Sequence, residues 1–178
     1  MKPRILQAEQ IEKMIRRAKT DRDRAMIVLL WRAGLRCAEA CAVTGADLEP
    51  APGGGLRLLV RNGKGGKSRY IGLDRKSAEI LSRVCDGDAP LLRTRTGQPV
   101  DTSYVRRKLP QIAKSAGIPG RVHPHGLRHS FALDLHRESW SVREIQLALG
   151  HSSLETTAVY LVGIGADHIV DAGSRREW

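Results

Sequence analysis

Leu56-Arg57-Leu58-Leu59-Val60-Arg61, Asn62-Gly63-Lys64-Gly65-Gly66-Lys67 and Ser68-Arg69-Tyr70-Ile71-Gly72-Leu73 run consecutively, and this stretch decides the fold class. Residues 56–61 and 68–73 are short, apolar and rich in residues that favour extended backbone. The glycines between them supply the positive φ angles of a tight reversal, so the segment reads as a β-hairpin whose tip carries lysines. Upstream, Pro50, Pro52 and the run Gly53-Gly54-Gly55 cannot sustain a helix, so a loop leads into the hairpin.

Outward from the hairpin the pattern is helical. Ile11, Met14, Ile15 and Ala18 share one face of a helix over 8–19, and Met26, Ile27, Leu29, Leu30 and Trp31 mark a second over 22–33. Gly34 stands where a C-terminal cap belongs. A further short helix is expected to begin near Arg36, with Ala38, Ala40 and Ala42 on its packed side. Beyond the hairpin, helices are expected over 75–85, 101–116, 125–138, 141–149 and 153–161, and residues 173–178 read as a loose tail. The expected fold is therefore mainly α with a small antiparallel β-sheet, an α+β arrangement.

At 178 residues the chain has the length of a single domain, 1–178. Thirty basic residues against 19 acidic ones give a net charge of +11, and 41% of residues are hydrophobic. Such a chain folds and favours polyanions. The excess sits in the middle, where residues 51–118 hold 14 basic and 5 acidic side chains. Cys37, Cys41 and Cys85 are odd in number and form no CxxC pair, which disfavours a disulfide framework and fits a reducing cytoplasm. The longest apolar run, Ala25 to Trp31, is far too short to span a membrane.

Several residues suit phosphodiester chemistry. Arg36 follows a glycine-leucine pair at a helix start, and His125 and Arg128 lie three apart on one helical face. Arginine's planar fork matches two phosphate oxygens, whereas lysine can also give up a proton, which makes Lys64 or Lys67 a candidate general acid. Five of six histidines fall within 123–151, yet no cysteine or HExxH pattern accompanies them, so no metal site is expected. His129 and His136 read as packed or capping residues. Tyr160 alone would read as a core aromatic, because a phenol of pKa about 10 is a poor nucleophile unless cations stabilise its phenolate.

Taken together, these fragments resemble the tyrosine recombinases, the phage-integrase and Xer-like family of site-specific DNA recombinases. Ala33-Gly34-Leu35-Arg36-Cys37-Ala38-Glu39 looks like the family's first arginine box, and Asn62 to Arg69 like its lysine hairpin. His125-Gly126-Leu127-Arg128-His129-Ser130-Phe131-Ala132 is similar to the HxxR box. Leu149-Gly150-His151-Ser152-Ser153, followed by Thr156-Thr157-Ala158-Val159-Tyr160, is similar to the segment carrying the second histidine and the nucleophile. The four boxes keep the family order over residues 33–160.

The resemblance implies a catalytic-domain fold and a defined set of roles. Tyr160 would attack the scissile phosphate, forming a 3′-phosphotyrosyl bond and releasing a 5′-hydroxyl, with no ATP, metal or other cofactor. Arg36 and Arg128 would hold the non-bridging oxygens, each worth about 3–4 kcal/mol of transition-state stabilisation. Lys64 would be the general acid, His125 the proton acceptor or relay for Tyr160, and His151 a donor to a phosphate oxygen. Glu39 would orient the arginine region, and Lys67, Arg69 and Arg61 would contact DNA. The implied partner is double-stranded DNA bearing a recombination site. The implied assembly is a tetramer on DNA and a monomer in free solution, with residues 162–178 docking on a neighbour. Only about 32 residues precede the first box, too few for the N-terminal DNA-clamping domain that family members carry. Two other activities share these features: a DNA-binding regulator that does not recombine, and topoisomerase-like nicking and religation.

Overall fold

The computed structural model describes residues 5–61 and 68–151. Among the described residues seven α-helices and three strands follow one another: α1 (Ala8–Arg17), α2 (Asp21–Trp31), α3 (Cys37–Ala42), β1 (Leu48–Pro50), β2 (Leu56–Val60), β3 (Arg69–Leu73), α4 (Arg75–Ser82), α5 (Thr102–Ser115), α6 (Pro124–Arg137) and α7 (Val142–Leu149). The mainly α class with a small antiparallel sheet is thus observed, and each expected helix up to residue 149 is present. The expected helix over 153–161 and the segment 162–178 lie outside the described residues, as does the hairpin tip 62–67. No described helix is long and apolar enough to cross a membrane.

α2 is the axis of the core. Its start is fixed by Thr20, whose hydroxyl accepts from the Asp23 amide. Every residue from Ala25 to Trp31 is buried, because α1, α3, α4, α5 and α6 all pack against it. Seven consecutive apolar residues leave that stretch of the helix without a wet face. α6 is the second buried helix. Pro124 opens it at a position where no backbone donor is needed, and residues 126–133 are all buried. Two polar contacts tie it to distant chain: Trp31 Nε1 donates to Asp134 Oδ2 at 2.7 Å, and Ser130 Oγ bridges the amide and carbonyl of Leu6.

The sheet has the order β1-β2-β3, antiparallel throughout, with Leu58 opposite Ile71 and Val60 opposite Arg69. Leu58, Val60, Ile71 and Leu73 supply its buried face. β1 was not expected. The glycine-proline segment, rather than a plain loop, turns β1 back onto β2, with the Ala51 amide donating to the Gly55 carbonyl. On α3 the expected packing face is corrected: Ala38 and Ala42 are exposed, whereas Ala40 and Cys41 are buried. In so short a helix, following directly on the turn at Gly34, the entry angle of the chain sets the buried face more than alanine spacing does.

Candidate active site

α7 ends at Gly150, whose φ of +65° is the left-handed cap conformation that glycine adopts without strain. The last carbonyls of a helix lack intrahelical partners and carry partial negative charge. Here three successive ones are met by three different arginines. Arg69 Nε donates to the Ala148 carbonyl at 2.8 Å, Arg128 Nη2 to that of Leu149 at 2.6 Å, and Arg36 Nη2 to that of Gly150 at 3.1 Å.

Glu39 draws the same arginines together from the other side. Its carboxylate accepts from Arg36 Nη1 at 2.8 Å and from Arg69 Nη1 and Nη2 at 3.1 and 3.0 Å, with Arg128 Nη1 at 3.6 Å. It also accepts from the Arg36 amide, so the residue that begins α3 is fixed in backbone and side chain alike. Burial would push the Glu39 carboxyl up, but the hydrogen bonds and charges of Arg69 and Arg36 hold it at about 2. One carboxylate against three guanidiniums leaves the cluster positive, a fitting seat for an anion. Arg128 lies deepest, at 2% exposure, with Nη1 also donating to the Gly34 carbonyl at 2.5 Å. Arg36, at 32% side-chain exposure, is the guanidinium that reaches solvent.

The two histidines stand beside this cluster. His125 opens to solvent on the first turn of α6, and the buried His129 ring meets it edge-on at 4.5 Å. Partial desolvation, then the charges of Arg128 and Arg36, lower the His125 pKa. His151 follows the α7 cap, its carbonyl accepting from Gln146 Nε2. Burial first, then Arg128 and Arg36, hold its pKa at about 4, so its imidazole is neutral at physiological pH. Among the described residues, no three histidine, cysteine or carboxylate side chains are grouped to hold a metal ion.

Arg36, Glu39, His125, Arg128 and His151, five of the residues singled out from sequence, therefore converge at one place. Lys64, Lys67 and Tyr160 lie outside the described residues. Arg61 is 58% exposed and pairs with the buried carboxylate of Asp47. Arg69, expected to contact DNA beside Lys67, has its side chain turned into the protein at 10% exposure and joined to Glu39 and the Ala148 carbonyl. Strand alternation is the cause: Arg69 shares its face of β3 with the buried Ile71 and Leu73, whereas Tyr70 faces solvent.

The model of the phage integrase family matches residues 4–162, most of the chain. The chain belongs to the phage integrase family. Among its relatives in this family, the tyrosine recombinase XerD of Xanthomonas axonopodis is 36% identical, over 89% of this chain and 58% of that protein. The tyrosine recombinase XerA of Pyrococcus furiosus is 36% identical, over 97% of this chain and 62% of that protein. This family member thus spans about three fifths of the length of those relatives. A crystal structure of XerA recombinase superimposes with a TM-score of 0.84 at 27% identity, covering 99% of this chain and 66% of that one. The XerH recombinase bound to its palindromic difH substrate in a post-cleavage complex gives 0.77 at 25% identity, over 97% and 53%.

Proposed function

We propose that this chain performs the strand-cleaving chemistry of site-specific DNA recombination. Tyr160 gives its phenolic proton to His125 and attacks a scissile phosphate, the new bond is a 3′-phosphotyrosyl ester, and the displaced 5′-oxygen leaves as a hydroxyl after taking a proton from Lys64. Attack by a 5′-hydroxyl from another strand reverses the step and joins new neighbours, so the phosphodiester energy is conserved without ATP or metal. The observation that carries this reading is the convergence of Arg36, Arg128, His125 and His151 at the end of α7, with His151 nine residues before Tyr160. Arg36 meets the incoming phosphate, Arg128 sets the charge behind it, and neutral His151 donates to an oxygen. A cluster of this composition exceeds what a purely DNA-binding regulator requires.

Double-stranded DNA carrying a recombination site is the substrate, and Arg61 and Lys67 contact its backbone. The chain acts in the cytoplasm, as a monomer in free solution and within a tetramer on DNA, where residues 162–178 dock on a neighbour. A nicked suicide substrate carrying the cognate site tests the chemistry. The expected product is a denaturant-stable protein–DNA adduct that Tyr160→Phe abolishes. An adduct undiminished in Tyr160→Phe would overturn the assignment. A 5′-bridging phosphorothiolate needs no proton on its leaving group, so it should restore cleavage to Lys64→Ala. Rescue of Lys67→Ala instead would move the general acid to Lys67.

A further inference from the structure

We propose that Arg69 is a positioning residue for the cleavage chemistry: it clamps the start of β3, Glu39 of α3 and the last turn of α7 into one rigid unit. The inference rests on the recombinase reading for its kinetic consequence, but the clamp itself does not. Each contact comes from a different part of one guanidinium. Nε holds the Ala148 carbonyl at 2.8 Å, while Nη1 and Nη2 hold the two Glu39 oxygens at 3.1 and 3.0 Å. Only a planar fork with donors on two edges makes all three bonds at once, and a lysine ammonium would have to choose between them.

The three joined segments are those that lead to the reacting groups. β3 begins directly after the hairpin tip that bears Lys64, Glu39 holds Arg36, and α7 runs into His151 and onward toward Tyr160. Gly150 completes the seat, because a Cβ there would stand 2.8 Å from Arg69 Nη1. Among the described residues Arg69 bonds Glu39 and the Ala148 carbonyl rather than a group assigned to the reaction. It acts through Arg36 and through the direction in which the chain leaves α7.

The test compares Arg69→Gln and Arg69→Lys with the unaltered chain by two measurements. The first is single-turnover cleavage of the nicked substrate alongside its DNA dissociation constant. Arg69→Gln is expected to lose about 10- to 100-fold in rate, as a misplacement near 1 Å would cause, with DNA affinity changed less than about threefold and Arg69→Lys recovering only part. Arg69→Gln combined with Glu39→Gln should be no slower than the slower single variant, since both break one lock. Additive losses, an unchanged rate, or a loss explained by DNA affinity would overturn the proposal. The second measurement is amide hydrogen exchange without DNA. Arg69→Gln should speed exchange at Gly150 and His151, whereas Arg75→Gln on the exposed surface of α4 should not. Unchanged exchange in Arg69→Gln refutes the clamp whatever the fate of the recombinase reading. That reading falls separately, if the unaltered chain gives no Tyr160-dependent adduct.

Discussion

Replacing Gly34 with alanine puts the architecture of the site to a quantitative test. Gly34 has φ +58°, a conformation costing an L-residue about 1–2 kcal/mol. A Cβ added there would stand 2.1 Å from Phe131 Cδ1, 2.5 Å from Cε1 and 2.9 Å from Cγ. The ring would have to withdraw by about 1.4 Å to restore ordinary carbon–carbon contact. Phe131 is packed against Ala132, Leu135, Ile145 and Leu149 between α6 and α7, so the retreat is an overpacking event of about 1–3 kcal/mol. Gly34→Ala should therefore lower stability by about 2–5 kcal/mol, a large share of the roughly 5–15 kcal/mol of a typical domain. Urea denaturation reads this as a lower midpoint at unchanged m-value. Phe131→Leu removes the obstructing ring edge, and in that background Gly34→Ala should cost only the backbone part, about 1–2 kcal/mol. The Gly34 carbonyl is the acceptor for Arg128 Nη1, so whatever backbone shift remains should also slow cleavage. An undiminished cost in the Phe131→Leu background would refute the steric argument, and a neutral Gly34→Ala would refute both parts.

Three further outcomes follow from the same contacts. Glu39, held at about 2 instead of 4.5, contributes about 3 kcal/mol that is fully present above pH 4.5 and lost as pH falls toward 2; Glu39→Gln should flatten that limb in urea melts across pH 5 to 2, and an unchanged slope contradicts it. His129 and His151 are both held at about 4 by burial first, so the unfolded chain takes up their protons earlier and stability declines from pH 6.5 down to 4; NMR titration of the His151 ring should give a midpoint near 4, and one near 6.5 counts against the described environment. Trp31→Phe removes the donor that meets Asp134 at 2.7 Å in a partly buried setting and should cost about 1–2 kcal/mol in thermal or urea unfolding, whereas a change below about 0.3 kcal/mol would show the bond to be inconsequential.

What was legible in the sequence was whatever a local pattern records. The glycine-rich reversal between two apolar runs marks the hairpin, the i, i+3 spacing puts His125 and Arg128 on one side of α6, and Gly34 marks the turn after α2. What stayed hidden was of two physical kinds. Contacts such as Trp31 with Asp134 or Leu6 with Ser130 join residues more than a hundred positions apart, and no local periodicity carries that information. Backbone carbonyls have no side-chain signature at all, so nothing in residues 148–150 announces that three arginines will meet there. Arg69 is the instructive case between these. Its inward direction was written in the alternation Arg69, Ile71, Leu73, but its place beside a lysine-bearing tip suggested a solvent-facing cation. The alternation rule is geometric and the neighbourhood rule only compositional, so the first should prevail where they conflict. An arginine on the buried face of a strand needs a buried carboxylate or an array of orphan carbonyls, and α3 and α7 together provide both. The inward turn of Arg69 is thus a consequence of strand geometry, and the arginine cluster is gathered where a helix ends because that is where unpaired carbonyls are found.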